Sequence, residues 1–337
     1  MKIWKPFELH THTFHSDGKH SLLEMVKEAK MLGLQGLALT DHNTMSGLIG
    51  KEEVESQFDI NIISGLEWTT FYGHMNMLGV SEYIDWREFT PKSIHTGIKK
   101  VHDKNGIVGI VHPYRIGSPI CTGCFWEYHV EDWTDIDYIE VWSGTLPSVK
   151  KDNRRAFHLW TEKLNEGYQI TAVNGRDWHE TTELDDPIAA TFLKVDKVEK
   201  NADGDRAFIN AIKHGEVSVS MGPLIDMTLE WNEQKHPIGG EILIGRNVDM
   251  KAKVNITVDY SVRERKWELE DQNLKISINS NKGMLNENVL LMNQEQIVSS
   301  VNLEEIRWLR AELYGVFNGV YTMIAFTNAI YVINTSL

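Results

Sequence analysis

Apolar runs and helix-like stretches alternate along the first two thirds of the chain. Ser21 and Glu24 form a capping box, and apolar residues recur on one helical face until Gly33 ends the helix, after which residues 34–40 form an extended run. The same order recurs with a helix at residues 93–105 before a strand at 107–111 and a helix at 152–166 before a strand at 169–173, and a last helix is predicted at 205–214. Repeated units of this kind predict an α/β fold around a parallel sheet or barrel.

The pattern changes after Gly215. Short runs rich in valine, isoleucine, threonine and aromatic residues follow one another, and residues 250–258 alternate polar and apolar side chains as a half-buried strand does. Strands are predicted at residues 217–221, 225–231, 248–260, 274–280, 306–314 and 323–333. We therefore expect two domains, an α/β domain over residues 1–215 and a smaller antiparallel β-sandwich over residues 216–337.

Charge and composition narrow the class of protein. The chain has 337 residues and a formal net charge of −14. So acidic a chain repels a polyanion, and we expect a small-molecule substrate rather than a long nucleic acid. The N-terminus lacks the apolar stretch of a secretion signal, and no run reaches the roughly 20 apolar residues that span a bilayer. The expectation is a cytoplasmic protein without a membrane partner, and its oligomeric state stays open.

Both cysteines lie in Cys121-Thr122-Gly123-Cys124. A zinc ribbon needs a second pair of this kind, so we interpret the segment as a loop with reduced thiols. A redox or metal role that includes His129 is the alternative.

Imidazole and carboxylate side chains stand where the apolar runs break off. Side chains two apart on a strand share a face, so His10 can converge with His12, and Asp177 with His179. One histidine alone is more often structural, but strands would seldom end repeatedly in polar groups that have no partner. The mixed nitrogen and oxygen set suits zinc, manganese or iron. The candidate ligands are His10, His12, Asp17, His42, Glu67, His74, His112, Asp177 and His179.

Other histidines fall outside this pattern. We interpret six of them as surface or packing residues: His20, His95, His102, His158, His214 and His236. His15 is ambiguous, because it neighbours Asp17 and either replaces it as a ligand or serves as an acid.

The ligand set is suited to hydrolysis. A carboxylate such as Glu67 can bridge two ions, and paired ions polarise an ester oxygen and activate water. We expect a metal-bridged hydroxide to be the nucleophile, with Glu67, Asp177 and His179 as catalytic residues. Arg115 is the candidate for binding a phosphate group, although a surface arginine is an equal alternative.

The segment from Phe7 to Asn43 resembles the opening of the PHP (polymerase and histidinol phosphatase) family. The resemblance rests on His10-Thr11-His12, Ser16-Asp17-Gly18 and Leu39-Thr40-Asp41-His42-Asn43, and then on Gly65-Leu66-Glu67, Gly73-His74, Val111-His112-Pro113 and Asp177-Trp178-His179. It implies a distorted (β/α)7 barrel with two or three divalent ions. One departure is Arg176, which stands where the family more often has a small residue. Arg176 either contacts an anionic substrate or forms an outward salt bridge.

The resemblance also implies how the ligands divide among the ions. One ion would be held by His10, His12, Glu67 and Asp177. Glu67 would bridge to a second ion held by His74 and His112. The remaining three ligands, Asp17, His42 and His179, would hold a third.

Further motifs resemble the carbaryl-hydrolase-like branch of the family (CehA/McbA type), which joins the barrel to a β-sandwich. These motifs are Ile139-Glu140-Val141-Trp142, Ser220-Met221-Gly222-Pro223 and residues 325–332. Our leading hypothesis is a phosphoesterase for small phosphate esters. A carbamate or carboxylic ester hydrolase is the second, with an aromatic pocket formed by Tyr72, Tyr114, Trp126, Trp142 and Trp178. The third is a non-enzymatic binding module that metals merely stabilise.

Overall fold

The computed structural model describes residues 1–117, 123–180, 187–197, 205–245 and 248–335. Cys121 lies outside these residues, while Cys124 is buried. Within the described residues, no helix is both long and apolar enough to cross a membrane.

Strands and helices alternate in the first part of the chain. Its strands are β1 (Lys2–Thr11), β2 (Gly36–Leu39), β3 (Asn61–Thr70), β4 (Gly73–Leu78), β5 (Ile107–Ile110), β6 (Tyr138–Ser143), β7 (Thr171–Gly175), β8 (Ala190–Asp196) and β9 (Val217–Ser220). Its α-helices are α1 (Leu22–Met31), α2 (Lys51–Phe58), α3 (Ile94–His102), α4 (Lys151–Glu166) and α5 (Arg206–Lys213), and short 3₁₀ turns lie at Ser46–Leu48, Trp133–Asp135 and Pro147–Val149. Together these elements form a mixed α/β fold.

The helix ends follow from the sequence. The capping box of Ser21 and Glu24 begins α1, whose buried residues include Met25, Val26 and Ala29. Gly167, with φ at 102°, ends α4 in the left-handed conformation that glycine adopts without steric cost. These predicted helices lie within two or three residues of their observed positions.

Strands β1 to β7 lie side by side in chain order. Neighbouring strands are parallel except at β4, which is antiparallel to both β3 and β5. The predicted all-parallel order is therefore wrong at this position. The reason is local: Thr70 and Gly73 close a tight hairpin, in which the Thr70 hydroxyl donates to the Gly73 carbonyl at 2.8 Å.

The rest of the chain is built of strands, as predicted. They are β10 (Leu224–Trp231), β11 (Gln234–Pro237), β12 (Glu241–Ile244), β13 (Lys251–Asp259), β14 (Leu274–Ser280), β15 (Gly283–Leu290), β16 (Gln296–Asn302), β17 (Trp308–Phe317), β18 (Val320–Thr327) and β19 (Ile330–Asn334). A four-stranded sheet has the order β11-β10-β13-β16. Its buried residues, such as Val254 and Ile256, belong to the same apolar cluster as Ile276 of β14 and Leu313 of β17.

The two parts share one sheet. Strand β8 pairs with β1 on one side and with β9 on the other, and β9 pairs with β18. Backbone hydrogen bonds thus continue across residue 215, and the exact domain boundary stays a prediction. The buried side chain of Arg310 on β17 adds to this junction, because its guanidinium lies 4.4 Å from the ring centroid of Phe157 on α4.

Candidate metal centre

All nine candidate ligands gather at one end of strands β1 to β7. His10 is the second-last residue of β1, and His42, His112 and Asp177 follow the ends of β2, β5 and β7. Glu67 lies on β3. Because β4 is antiparallel, His74 at its beginning lies at the same end as the other ligands. The hairpin that breaks the parallel order therefore brings His74 into the cluster.

Glu67 lies at the centre of the cluster and is fully buried. Its Oε1 is 2.9 Å from His74 Nδ1 and 3.3 Å from His112 Nε2. Its Oε2 is 3.4 Å from His10 Nε2 and 2.6 Å from His42 Nδ1. The two oxygens of one carboxylate thus face different imidazoles, as a bridging ligand requires.

Two aspartates complete the cluster. Asp177 Oδ1 is 3.0 Å from His12 Nε2 and 3.4 Å from His10 Nε2. Asp17 Oδ1 is 3.1 Å from His179 Nε2 and 3.3 Å from His42 Nε2. Asp17 lies at the solvent side of the cluster, while His10 and His12 are fully buried.

The ligand atoms fit divalent ions. Among the described residues, four overlapping groups have ligand atoms within 4.8 Å of one another: His12, Asp17, His42 and His179; Glu67, His74 and His112; His10, His12 and Glu67; and His10, His112 and Asp177. The first two groups contain the ligand sets expected for the third and second ions. The set expected for the first ion is divided between the other two groups.

Although these contacts are short, the geometry of several of these atoms forms no hydrogen bond with any of the described residues. They include both oxygens of Glu67, Asp177 Oδ1, and the Nε2 atoms of His10, His12 and His74. A buried polar atom without a partner costs about 1–3 kcal/mol. Many such atoms point toward one region of this cluster. Bound cations would stabilise this arrangement.

The electrostatics of the inner residues suit metal binding. Burial alone would raise the pKa of Glu67, but the imidazoles of His42, His74 and His10 hold it well below its usual range. Burial lowers the pKa of His12 to about 3. An ionised Glu67 and a neutral His12 are the forms that coordinate a metal. Burial lowers the pKa of His42, but Glu67 and Asp17 outweigh burial and raise it to about 10, so a metal must displace its proton.

The pKa of His10 is also raised. Burial lowers its pKa, yet the carboxylates of Glu140, Asp177 and Glu67 outweigh burial and raise it well above the usual value. His10 Nδ1 lies 2.7 Å from Glu140 Oε2, and both side chains are buried. Glu140 therefore holds the ring with Nε2 toward the cluster, a role that carboxylates commonly play behind a metal-binding histidine.

Sequence reasoning missed Glu140. The signal was a carboxylate inside the apolar run Ile139-Glu140-Val141-Trp142, because a buried charge requires a partner. The site also requires Gly175, whose Cβ, if present, would lie 2.3 Å from Glu140 Oε2 and 2.7 Å from His10 Cβ.

Asp41 positions the loop that carries Asp17. Its carboxylate accepts hydrogen bonds from the Thr13 amide, the Thr13 hydroxyl and the Ser16 hydroxyl, each at 2.7 Å. Although Asp41 precedes His42 in a ligand-like motif, it therefore supports the site from behind. His15 lies in the same loop, and its Nδ1 is 2.8 Å from Ser46 Oγ.

Two candidate ligands have strained backbones. His112 has φ at 29° and Asp177 has φ at 57°, a region that non-glycine residues rarely adopt. Such a conformation costs about 1–3 kcal/mol and persists only where the surroundings enforce it. Strain at two positions of one cluster is typical of a functional site.

The two arginines expected to bind substrate differ in position. Arg115 pairs with Asp177 Oδ2 through Nη1 and donates to Ser143 Oγ through Nη2 at 2.6 Å. It also borders a cavity of about 220 Å³ lined by His112, Arg115, Lys150, Asp152, Asn153 and Ala156. The buried guanidinium of Arg176 lies instead 3.9 Å from the ring centroid of Trp178.

The aromatic residues expected to line a pocket also differ in their position in the fold. Trp142 and Trp178 are buried in the core. Tyr72 lies in the turn between β3 and β4, and Tyr114 and Trp126 lie in the connection that follows β5. These three lie on connections at the end of the strands that carries the cluster, and so does Trp178, which follows β7 but has a buried side chain. His20, interpreted as a surface or packing residue, is buried edge-on against Trp178.

Comparisons with known proteins agree with this geometry. The PHP domain family matches residues 8–142. An uncharacterized protein of Methanocaldococcus jannaschii is 30% identical over 125 residues, which are 34% of this chain and 69% of that protein. A phosphoribosyl 1,2-cyclic phosphate 1,2-diphosphodiesterase of Eggerthella lenta is 28% identical over 64 residues, or 19% of this chain and 24% of that enzyme.

One solved structure is similar along nearly the whole chain. It is a two-domain protein from Bacteroides vulgatus that contains a predicted PHP-like metal-dependent phosphoesterase. The TM-score is 0.54 at 15% identity, and the similarity covers 97% of this chain and 95% of the other. The likeness supports the two-domain α/β fold.

Proposed function

Because the chain belongs to the PHP domain family, we propose that it is a metal-dependent phosphoesterase that hydrolyses small phosphate esters. The observation that carries the proposal is the cluster of buried imidazole and carboxylate atoms around Glu67 that lack partners among the described residues. The proposal also includes a distorted (β/α)7 barrel, a β-sandwich in the second part of the chain, membership of the CehA/McbA-like branch and a cytoplasmic location.

The nine ligands would hold two or three zinc, manganese or iron ions. Bound ions supply Lewis-acid polarisation of the substrate and lower the pKa of a coordinated water. Glu67, whose two oxygens face different imidazoles, would help to hold two of the ions. Asp177 would contribute Oδ1 and His179 its Nε2, while Arg115 holds Asp177 Oδ2 and so fixes the carboxylate's orientation.

The cavity beside His112 is the proposed position of the substrate. Arg115 on its wall brings positive charge to a molecule whose net charge is −14, which favours a small anion there. Arg176 faces Trp178 and is a weaker candidate for substrate contact. The cavity volume also favours a small substrate over a long nucleic acid.

A carbamate or carboxylic ester hydrolase is the second candidate. It is favoured by the aromatic side chains of Tyr72, Tyr114 and Trp126 on connections at the cluster's end of the strands. Assays of the manganese- and zinc-loaded protein with p-nitrophenyl phosphate, nucleoside monophosphates and a naphthyl carbamate separate the two. Turnover of the carbamate alone would reject the phosphoesterase.

Substitution of Asp177 by asparagine tests whether the cluster is catalytic. Asparagine keeps the side-chain shape but removes the charge that faces His10, His12 and Arg115, so turnover should be lost and the Tm should fall while the protein stays folded. Asp132→Asn is a matched control. Asp132 is an exposed aspartate that caps the 3₁₀ turn at Trp133–Asp135 and is not one of the nine candidate ligands. A binding module that metals merely stabilise would instead show no turnover in the wild type and unfold when Asp177 is changed.

A further inference from the structure

Among the residues that the structure describes, the edge of β7 that faces β1 forms no continuous ladder with a neighbouring strand. Alternate backbone N–H groups along this edge and just beyond its end donate instead to side chains. The Ala172 amide donates to Asn328 Oδ1 at 2.7 Å, the Asn174 amide to Thr191 Oγ1 at 2.9 Å, and the Arg176 amide to Glu8 Oε1 at 2.6 Å. We call Asn328, Thr191 and Glu8 the seam residues.

Backbone contact resumes only beyond the strand. The Trp178 amide donates to the His10 carbonyl, and the His12 amide donates to the Trp178 carbonyl, both at 2.9 Å. These two bonds join the segment of His10 and His12 to the segment of Asp177 and His179. The seam residues fix the approach of the two strands below this point.

Each seam residue is buried and makes more than one bond. Asn328 donates back to the Ala172 carbonyl at 2.8 Å and to the Val217 carbonyl at 3.1 Å. The Thr191 hydroxyl donates to the Asn174 carbonyl at 2.8 Å. Asn328 and Thr191 therefore imitate a neighbouring strand, satisfying both the N–H and the C=O of one residue on β7.

Glu8 links the two ligand-bearing strands directly. Its Oε1 accepts from the His10 amide at 3.2 Å as well as from the Arg176 amide. One of these amides belongs to a candidate ligand, and the other precedes Asp177. Since Asp177 has a left-handed backbone, bonds at Arg176 and Trp178 hold the chain on both sides of the strained residue.

We propose that Asn328, Thr191 and Glu8 are positioning residues that set β7 against β1 and thereby place Asp177 opposite His10 and His12. The inference rests on the proposed function, because it assigns these residues to the same metal centre. It also gives the strand-rich second part of the chain a role, since Asn328 follows β18 and reaches the strand that leads to Asp177. The second part would then be required for the site to bind metal.

The test compares variants in the full-length chain. Thr191→Val keeps the shape but removes the hydroxyl, and Asn328→Ala removes the amide. Thr191→Ser keeps the hydroxyl and serves as the conservative rescue. Val254→Ala is the control, because Val254 is buried on β13 in the four-stranded sheet, away from the seam.

Two quantities are measured on folded protein. The first is Mn²⁺ affinity by competition with a metal indicator, and the second is hydrogen exchange of the His12 and Trp178 amides. Thr191→Val and Asn328→Ala should bind Mn²⁺ about 10- to 100-fold more weakly, the range typical of losing a residue behind a metal ligand. In both variants the His12 and Trp178 amide hydrogens should also exchange with solvent faster than in the wild type. Thr191→Ser and Val254→Ala should behave as the wild type.

The proposal is overturned if the seam variants keep wild-type affinity and exchange, or if Val254→Ala loses as much affinity as they do. Failure of the proposed function looks different. If the wild-type protein binds Mn²⁺ but hydrolyses no ester, the proposed phosphoesterase activity is wrong. The ratios of Mn²⁺ affinity between the variants and the wild type still test whether the seam residues position the site. If the wild type binds no Mn²⁺, the hydrogen-exchange rates of the His12 and Trp178 amides alone test the role of the seam residues.

Discussion

Replacing Glu140 by glutamine tests the support behind His10. The contact between Glu140 Oε2 and His10 Nδ1 is 2.7 Å long and buried on both sides. Glutamine keeps the length and can still accept a hydrogen bond through its carbonyl oxygen. The substitution removes the negative charge that would make His10 Nε2 a stronger metal ligand and would hold the ring in one tautomer.

The size of the effect follows from the type of hydrogen bond. A bond to a charged partner contributes about 1.5–3 kcal/mol, whereas a neutral one contributes about 1 kcal/mol. The difference of about 0.5–2 kcal/mol corresponds to a roughly 2- to 30-fold loss of metal affinity. The pKa of His10 should also fall, because Glu140 is the carboxylate that raises it most.

The assay is titration of the chelator-treated protein with Mn²⁺, together with the Tm at each metal concentration. Asp137→Asn is the matched control, because Asp137 also pairs with an imidazole, that of His102 at 2.8 Å, and lies outside the cluster. We expect Asp137→Asn to lower the Tm without changing affinity. An affinity of Glu140→Gln within twofold of the wild type would refute the role assigned to Glu140.

Three further predictions concern stability. Chelation should lower the Tm reversibly, since an ion at 100 times its Kd stabilises the fold by about 2.7 kcal/mol, and an unchanged Tm would argue against buried ions. Gly109→Ala should cost about 1–3 kcal/mol in urea unfolding, because the new Cβ would lie 2.0 Å from the Tyr138 ring, and an unchanged midpoint would contradict this packing. Arg310→Met should cost about 3–5 kcal/mol, because it leaves the buried Glu312 without the guanidinium that lies 2.7 Å from it; a loss below 1 kcal/mol would show that this pair is not needed.

Local patterns in the sequence predicted which imidazole and carboxylate side chains would gather. Nearly all of the candidates lie where an apolar run begins or breaks off, and the structure brings all nine together. Helix α1 was predictable for a similar reason, because its capping box and final glycine lie within a few residues of each other. Features that depend on residues close together in the sequence can be predicted without knowledge of the fold.

Features that depend on distant partners were not predictable in this way. Helix α2 has no buried residue, so its sequence lacks the apolar period of a helix. Strands β11, β12, β15 and β16 were also missed. Glu140 looked like an ordinary strand residue, because its partner His10 lies 130 positions away. The β3–β4 hairpin was missed because Phe71 and Tyr72 in its turn are not typical turn residues.

That hairpin also bears on the order in which the site assembles during folding. Glu67 and His74 lie on the two strands joined by a single tight turn and are in contact, so their encounter closes only a short loop and should occur on the microsecond scale typical of hairpins. His10 and Asp177 lie almost half the chain apart, and their encounter must await the larger entropy loss of long-range closure. These two candidate ligands can therefore come together before the rest of the site, and ions present during refolding should accelerate only the later, long-range step.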